Sequence, residues 1–380
     1  MDGISRRIFL KSGAAAGTFL TLSGASDTFS QLAATPKIRY RSLGSTGWKV
    51  SEIGFGAMNM RDPELVRAAV EAGINYFDTS SEYMNGVNEE VLGSVLSTCR
   101  DKVFITTKLP AQSSPDTLGE RMETSLKRLK TDYVDAVLVH GGGVEQMQSQ
   151  QFIDAFGNLV AKGRARFTGV STHGNIPAVL DSMIASKFWN LASISYNYTS
   201  QQEVTDAIAR ARSAGIAIVA MKTLNKGRGD ASLASANMTA NQGALRFVLQ
   251  NRNIDTTVPG MTSFEHLAED MKVMELELTS EDRRELLRYG ESLKGKYCSG
   301  IIGCTGCLNQ CPYGVQVHEI NRCLGYVHGY GDMQLALENY DRLPAHSRAD
   351  VCSRCDSCMV KCVNGLNLDE NIRKARAIFC

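Results

Sequence analysis

The sequence predicts an α/β chain in which a (β/α)8 barrel is followed by a smaller, mainly helical domain rich in cysteine. After Pro36, short β-branched runs alternate with amphipathic stretches, and eight such units can be counted. Of the 11 cysteines, all but Cys99 lie between Cys298 and Cys380. A chain of 380 residues can hold a barrel of about 250 residues and a second module. We therefore assign residues 38–289 to the barrel and residues 296–380 to the second domain.

The strands of the predicted TIM barrel are read from the β-branched runs. Helical segments such as Pro115–Lys130 and Gln202–Ala214 separate them. In TIM barrels the chemistry lies at the carboxyl ends of the strands, so polar residues there are the first candidates for function. The strand candidates are Val50–Met58, Tyr76–Ser80, Val103–Lys108, Tyr133–His140, Ala165–Thr172, Leu191–Tyr198, Ile216–Leu224 and Ile254–Met261.

The overall composition is balanced. Lys and Arg total 41 against 40 Asp and Glu, so the formal charge is +1 and no strong field attracts nucleic acid or an anionic membrane. No apolar run reaches the roughly 18–20 residues that span a bilayer. We therefore expect a small-molecule or protein partner, no nucleic acid and no transmembrane segment in the mature protein.

The amino terminus has the layout of an export signal. Residues 5–11 read SRRIFLK, and a mostly small and apolar stretch from Ser12 to Ala25 follows. This resembles a twin-arginine signal, which implies export of a folded protein by that machinery to a periplasmic or other extracytoplasmic location. We assign residues 1–34 to the signal, with cleavage after Ala25 or after Ala34 both open.

Four polar residues lie at or just after three neighbouring strand candidates. Asp78 and Tyr83 belong to FDTSSEY, Lys108 ends FITTK, and His140 ends DAVLVH. Over roughly Ile38–Leu287 the sequence resembles the aldo-keto reductases, which use Asp, Tyr, Lys and His in this order with a four-residue gap between Asp and Tyr. The resemblance implies hydride transfer between a nicotinamide cofactor and a carbonyl or alcohol substrate, which could be sugar-like.

The four side chains have complementary roles in such a reaction. A carbonyl that accepts hydride must also accept a proton, and Tyr83 is the predicted acid. Because a free tyrosine has a pKa of about 10, we expect the ammonium of Lys108 to lower it, with Asp78 orienting Lys108. His140 would donate a hydrogen bond to the substrate oxygen. Each residue alone also has an ordinary structural explanation, so the hypothesis depends on their joint order and placement.

The resemblance also implies a nicotinamide site across the late strands, with NADP or NAD both open. Ser193 lies where many family members have glutamine, and Met221 where many have an aromatic ring. Gly260 and His266 replace the basic residues usual in NADP-preferring members, whereas Glu269 and Asp270 fit the adenine-facing pair. The cofactor-binding candidates are Gly56, Ser171, Thr172, Met221, Lys222, Leu224, Gly260, Met261, Ser263, His266, Glu269 and Asp270.

The cysteine-rich domain contains two clustered motifs. The second, CSRCDSCMVKC, has the C-x2-C-x2-C-x3-C spacing of bacterial ferredoxins, in which three thiolates bind one [4Fe–4S] cluster and the fourth binds another. In the first motif Ile301 occupies the first ligand position, and Cys298 is the obvious substitute. Cys323 competes with Cys298 and is otherwise a small buried hydrophobe.

Eight thiolates can thus be assigned to two clusters. The first would take Cys298, Cys304, Cys307 and the crossing Cys362, and the second would take Cys352, Cys355, Cys358 and the crossing Cys311.

Zinc is the alternative metal for paired CxxC motifs, although the spacing favours iron–sulfur. The helical Glu319–Tyr340 insert resembles the ferredoxin-like tails of an aldo-keto reductase subgroup. The sequence therefore predicts an exported oxidoreductase coupled through two [4Fe–4S] clusters to a redox partner protein. The alternative is an exported electron carrier whose barrel is catalytically silent.

Overall fold

The computed structural model describes residues 38–225, 232–233, 238–292, 298, 306–308, 310–341 and 343–380. It divides into two compact units. The first comprises the described part of Met1–Thr223 together with Leu245–Leu278, and the second comprises the described parts of Leu224–Ala244 and Thr279–Cys380. The predicted signal at residues 1–34 and the predicted ligand Cys304 lie outside the described residues.

The first unit is a barrel of eight parallel strands, each paired with the next along the chain. Parallel bridges between Ile53 and Thr257 and between Gly56 and Gly260 join the first strand to the last and close the ring. The strands are β3 (Phe55–Gly56), β4 (Tyr76–Asp78), β5 (Phe104–Pro110), β6 (Val134–His140), β7 (Ala165–Thr172), β8 (Leu191–Ser195), β9 (Ala217–Met221) and β12 (Thr256–Thr257). The predicted (β/α)8 barrel is thus confirmed.

Several strand boundaries differ from the prediction, and the first predicted strand, Val50–Met58, is divided into the short strands Lys49–Ser51 and Phe55–Gly56. Lys108 does not end its strand, because Leu109 and Pro110 continue the pairing with β6. The last strand is short, since Pro259 has no N–H to continue a ladder and only its carbonyl is used, by the Gly56 N–H. At this seam a Cβ on Gly56 would lie 2.6 Å from the Pro259 carbonyl oxygen, so the two backbones can meet only through glycine.

An antiparallel hairpin, β1 (Tyr40–Ser42) with β2 (Lys49–Ser51), precedes the barrel. Its Leu43 and Val50 are fully buried and pack into the barrel interior with Tyr76 and Phe104. At Gly44, φ is +50° and a Cβ would lie 2.5 Å from the backbone nitrogen of Ala217. The hairpin therefore fills the amino-terminal end of the barrel with apolar side chains.

Alternation along the strands places the polar residues above this apolar layer. Side chains two or four residues apart in a strand point to the same face. Tyr76, Phe104, Leu138 and Leu191 belong to the interior core. The same face further along these strands carries Asp78, Lys108, His140, Ser193 and Ser195. The carboxyl ends of the strands therefore carry polar groups inside the barrel.

Amphipathic helices cover the strands. The first begins with the Asp62 side chain accepting a hydrogen bond from the Glu64 N–H and with Pro63 at its first position, and it buries Leu65 and Val66. The segment Pro115–Lys130, predicted as one helix, is a 3-10 turn at Pro115–Thr117 followed by the α-helix Leu118–Leu129. The helices are α1 (Pro63–Glu71), α2 (Val87–Leu96), α3 (Leu118–Leu129), α4 (Val144–Gln148), α5 (Gln150–Ala161), α6 (Ile176–Ser186), α7 (Gln202–Ser213), α8 (Ala240–Gln250) and α9 (Phe264–Lys272).

The second unit is mainly helical. A short hairpin, β10 (Ser232–Leu233) with β11 (Met238–Thr239), is followed along the chain by α10 (Ser280–Ser292), α11 (Val317–Tyr330), α12 (Met333–Asp341) and α13 (Leu368–Phe379). The predicted helical insert is thus two helices, separated at Gly331 with φ of +65°. Ile320, Cys323, Tyr340 and Ile372 are among its core residues.

α10 belongs to the second unit, because that unit begins again at Thr279. Among the described residues, no helix combines the length and apolar character that crossing a bilayer requires.

Candidate active site

Lys108 is the centre of the polar cluster inside the barrel. Its side chain is fully buried, and its Nζ donates hydrogen bonds to Oδ2 of Asp78 at 2.6 Å and to the Thr79 carbonyl at 2.6 Å. The same Nζ lies 3.3 Å from the phenol oxygen of Tyr83. A buried ammonium needs this number of acceptors, because burial without partners is costly. The structure therefore brings three of the four predicted catalytic residues into direct contact.

Tyr83 is positioned by a tight turn after β4. Its backbone N–H donates to the Ser80 carbonyl, and the next two residues, Met84 and Asn85, adopt the left-handed region with φ of 51° and 56°. The Ser81 hydroxyl donates to the Lys108 carbonyl at 2.9 Å. Such backbone strain occurs where surrounding contacts define the geometry. The turn therefore holds the phenol against the ammonium.

The pKa of Tyr83 is not lowered, in contrast to the expectation from the sequence. Burial raises its pKa above the ordinary value, and this outweighs the lowering by Lys108. For Lys108, burial lowers the pKa, but the attraction of Asp78 and Tyr83 is stronger and the net pKa is raised. Lys108 is therefore charged and Tyr83 is protonated near neutral pH, as a proton donor must be.

His140 lies at the end of β6, beside Tyr83. The two rings meet edge to face with centroids 5.7 Å apart and an interplanar angle of 86°. Its Nδ1 lies 2.8 Å from Oε2 of Glu82 and 3.1 Å from Oγ of Ser80. The fourth predicted catalytic residue is thus adjacent to the other three.

His173 also belongs to this site, although it was not among the predicted residues. It follows β7 directly, and its Nδ1 lies 2.8 Å from the Ser195 hydroxyl at the end of β8. Burial, with additional repulsion from Lys222, His140 and Lys108, lowers its pKa to about 3. Its ring is therefore neutral at working pH. The position after a strand's carboxyl end was the available signal, but no motif marked it.

Several predicted cofactor residues line the late strands of the barrel. Ser171 and Thr172 are buried at the end of β7, and the Ser171 hydroxyl lies 3.9 Å from the sulfur of Met221. Ser171 pairs in register with Ser193 of β8. The hydroxyls of Ser193 and Thr223 are buried without a hydrogen-bond partner in the described part of the chain. The unpaired hydroxyl of Ser193, on the interior face of β8, can form a hydrogen bond with a polar ligand.

The remaining residues of this set lie at three places. Gly56, Gly260 and Met261 form the barrel seam, where Met261 is fully buried and its N–H donates to the Gly56 carbonyl. Lys222 follows β9 with φ of 55°, and its charge acts on both Tyr83 and His173. Leu224 belongs to the second unit.

The predicted adenine end lies at the start of α9. The Ser263 hydroxyl caps this helix by accepting from the His266 N–H, and His266 Nδ1 lies 3.2 Å from the Thr262 hydroxyl. Asp270 is fully buried, whereas Glu269 is partly exposed. Of the predicted acidic pair, only Glu269 is therefore accessible to a nucleotide in this structure.

In the second unit, three predicted ligands share one cavity. Cys298, Cys307 and Cys362 line it together with His318 and Asn321. These are the described members of the first predicted ligand set, since Cys304 lies outside the described residues.

The second predicted set is also brought together. Burial raises the pKa of Cys352 to about 11, and repulsion from Cys311, Cys358 and Cys355 acts in the same direction. Cys323, in contrast, is fully buried in the hydrophobic core, where burial raises its pKa to about 11.

All ten cysteines that the structure describes are free thiols. Within the described ranges, no three Cys, His, Asp or Glu side chains converge closely enough to ligate a single metal ion.

Comparisons with known proteins agree with the barrel. The pattern of the aldo/keto reductase family matches residues 52–232. L-galactose dehydrogenase of Arabidopsis thaliana is 28% identical over 299 residues, which cover 66% of this chain and 92% of that protein. The uncharacterized oxidoreductase YqkF of Bacillus subtilis is 32% identical over 151 residues, 36% of this chain, so the match spans about half (49%) of that relative.

A solved structure has the same fold. An aldo-keto reductase from Klebsiella pneumoniae in complex with NADPH aligns with a TM-score of 0.58 at 23% identity, covering 66% of this chain and 95% of that one. The family match, the closed barrel and the contact of Lys108 with Asp78 and Tyr83 lead to one conclusion. Residues 52–232 of this chain resemble the aldo/keto reductase family in sequence, and its barrel has the fold of a solved aldo-keto reductase.

Proposed function

We propose that this chain is a nicotinamide-dependent oxidoreductase that interconverts a carbonyl and an alcohol, coupled to two [4Fe–4S] clusters in its second unit. The observation that carries the reductase part is the contact of Lys108 Nζ with Asp78 at 2.6 Å and Tyr83 at 3.3 Å, beside His140. A barrel that served only as a scaffold would not need a buried ammonium, that of Lys108, in contact with the phenol of Tyr83.

The residues of the chain perform the proton chemistry. A bound nicotinamide nucleotide would supply or accept the hydride. Tyr83 gives its phenolic proton to the carbonyl oxygen, and the Lys108 ammonium stabilises the phenolate left behind. Asp78 holds Lys108 charged. His140 directs a hydrogen bond at the substrate oxygen and so orients the carbonyl. In the reverse direction Tyr83 accepts the proton.

Features of the site support nucleotide binding. The unpartnered hydroxyls of Ser193 and Thr223 can contact the nicotinamide end, and Lys222 brings positive charge close by. The Klebsiella relative was solved with NADPH, which supports NADP as the first nucleotide to test, with NAD the alternative. The relationship to a sugar dehydrogenase, L-galactose dehydrogenase, supports sugar-derived carbonyls and alcohols as substrates.

The iron–sulfur proposal rests on spacing and grouping of thiols. The shared cavity of Cys298, Cys307 and Cys362 supports the first set, and the mutual influence of Cys311, Cys352, Cys355 and Cys358 supports the second. Such clusters, when bound, exchange single electrons. Burial of Cys323 in the core favours Cys298 as the eighth ligand.

Export and a redox partner complete the proposal. The twin-arginine-like SRRIFLK sequence supports transfer of the folded, loaded protein to an extracytoplasmic compartment. Free nicotinamide nucleotide is scarce there, so the nucleotide would be held tightly and recycled in place. An external redox protein would then exchange electrons with the second unit.

Anaerobic purification of the full chain, followed by iron, sulfide and released-nucleotide measurement, tests this function. We expect about eight irons and a nucleotide released on denaturation. A carbonyl-reduction assay then compares Tyr83→Phe with Cys355→Ser. Activity unaffected by Tyr83→Phe would favour the electron carrier with a silent barrel, and zinc in place of iron would overturn the cluster proposal.

A further inference from the structure

The Nδ1 atom of His140 lies between two different hydrogen-bonding groups. The carboxylate oxygen Oε2 of Glu82 is 2.8 Å away, and the hydroxyl of Ser80 is 3.1 Å away. A carboxylate can only accept a hydrogen bond, whereas a hydroxyl can either donate or accept. The shorter contact, to Glu82, therefore requires a proton on Nδ1.

This requirement limits what the other ring nitrogen can do. A neutral imidazole carries one N–H, so a proton on Nδ1 leaves Nε2 with a lone pair. A lone pair repels a carbonyl oxygen and cannot stabilise the negative charge that develops there. Only the doubly protonated ring satisfies Glu82 and still donates from Nε2. The partner of one nitrogen thus determines the function of the other.

We propose that Glu82 is a positioning residue that holds His140 as the imidazolium, so that its Nε2–H donates a charge-assisted hydrogen bond to the carbonyl oxygen of the substrate. The inference rests on the proposed function and assigns the protonation state of its oxyanion donor. No proton leaves His140 in the reaction, since Tyr83 supplies the one that the oxygen receives. An imidazolium donor is stronger than a neutral one.

The surroundings of the ring are consistent with this role for Glu82. Among the described residues, the charged and titratable groups around His140 include Tyr83, the cations Lys108 and Lys222, His173 and Glu82 itself. Asp78 is also an acid, but it forms its ion pair with Lys108 at 2.6 Å. His173 is kept neutral, with its pKa lowered to about 3, and adds no charge. Glu82 is therefore the carboxylate that can balance an imidazolium at this point.

The variant Glu82→Gln changes the kind of hydrogen-bonding group that faces Nδ1 of His140. A glutamine amide can donate to Nδ1, as can the Ser80 hydroxyl, and both select the neutral ring with its proton on Nε2. That ring still donates to the substrate, though more weakly. We expect kcat/KM to fall by about tenfold, less than the roughly 10²–10³ for complete loss of an oxyanion donor.

The pH profile should change in shape as well as height. In the wild type, activity falls as rising pH removes the second proton of His140, because the remaining proton stays on Nδ1 beside Glu82. In Glu82→Gln this alkaline decline should disappear, since the neutral Nε2–H form donates throughout. Glu82→Asp keeps a carboxylate and should keep the decline. A merely structural role would lower activity without changing the profile.

Nitrogen NMR of the histidine rings reads the protonation state directly. The full chain, loaded with NADP, is titrated from about pH 5 to about pH 8. His140→Gln identifies the His140 signals, and Glu145→Gln, which removes one negative charge from α4, is the control for net charge. We expect both nitrogens of His140 to be protonated near neutral pH in the wild type and in the control, and only Nε2 in Glu82→Gln.

Two outcomes would overturn the inference: a neutral His140 in the wild type near neutral pH, or identical spectra and pH profiles for the wild type and Glu82→Gln. The spectra need no turnover. If they respond as expected while small aldehydes are not reduced with NADPH or NADH, the inference about the ring is supported and the proposed function fails.

Discussion

Lys108 and Asp78 form a buried ion pair, with Nζ 2.6 Å from Oδ2, inside a barrel whose lower layers are apolar. Breaking a buried pair from one side leaves an uncompensated charge, which costs more than the pair contributes. Asp78→Asn should therefore lower the free energy of unfolding by about 3 kcal/mol at neutral pH. Chemical denaturation measures this loss. Adding Lys108→Met should recover part of it, and a double variant at least as unstable as the sum of the singles would contradict this account.

Tyr83→Phe separates chemistry from stability. It removes the proton donor while keeping the ring that packs against His140. We expect kcat for carbonyl reduction to fall by about 10²–10⁴-fold, with the melting temperature nearly unchanged. Because the pKa of Tyr83 is raised by burial, this donor should stay protonated up to about pH 10 or beyond. The wild type is expected to lose activity at alkaline pH. If the residual activity of Tyr83→Phe lacked this decline, Tyr83 would be shown to lose its proton at a lower pH than expected.

His173 should make the barrel sensitive to acid. Its pKa is about 3 in the folded chain, whereas an unfolded histidine titrates near 6.5. The unfolded state therefore binds more protons between these values, and stability falls as the pH is lowered through that window.

Partial solvent contact reduces the effect, and we expect about 1 kcal/mol at pH 5. Denaturation at pH 5 and pH 7 should show a smaller difference in His173→Gln than in the wild type; an equal difference would refute the assignment.

Gly169 is required by the close approach of β7 and β8. A Cβ there would lie 1.8 Å from the Leu191 carbonyl oxygen, which the strand pairing fixes. Gly169→Ala should destabilise the barrel by several kcal/mol, about 3 or more by analogy with severe overpacking. The matched control is Gly119→Ala in α3, where a Cβ meets nothing within 4 Å. That variant should be neutral or more stable by up to about 1 kcal/mol. The melting temperatures of the two variants, measured by thermal unfolding, test this difference in stability.

Cys298 and Cys323 offer a matched pair for the metal content of the second unit. Cys298 lines the cavity with Cys307 and Cys362, whereas Cys323 is a core residue of α11. Cys298→Ser should reduce the iron content from about eight toward about four per chain, or produce a three-iron cluster. Cys323→Ser should retain the iron and lose only stability. The reverse pattern in iron analysis would exchange the two assignments and leave the two-cluster proposal standing.

The strands and the grouping of the four candidate catalytic residues could be predicted because both have local signatures. Alternation marks a strand, and the four-residue gap between Asp78 and Tyr83 reflects a single loop. The His173–Ser195 contact could not be predicted, since it joins two strand ends that are neighbours only after the barrel closes. The burial of Asp270 was equally hidden, because a helix pattern does not show which acid faces the core. The net direction of the Tyr83 pKa could not be predicted either, because the opposing effects of burial and of the Lys108 charge depend on the geometry of the whole site.

The seam of the barrel has a consequence for how the chain folds. Ile53 pairs with Thr257 and Gly56 with Gly260, so the closing contacts join segments about two hundred residues apart in sequence. Contacts of such separation carry a large loop-closure entropy and slow the folding reaction. The intermediate strand pairs are all between successive units and can form earlier. We therefore expect an open, curved sheet to accumulate first, with ring closure through Gly56 as the late and rate-limiting event.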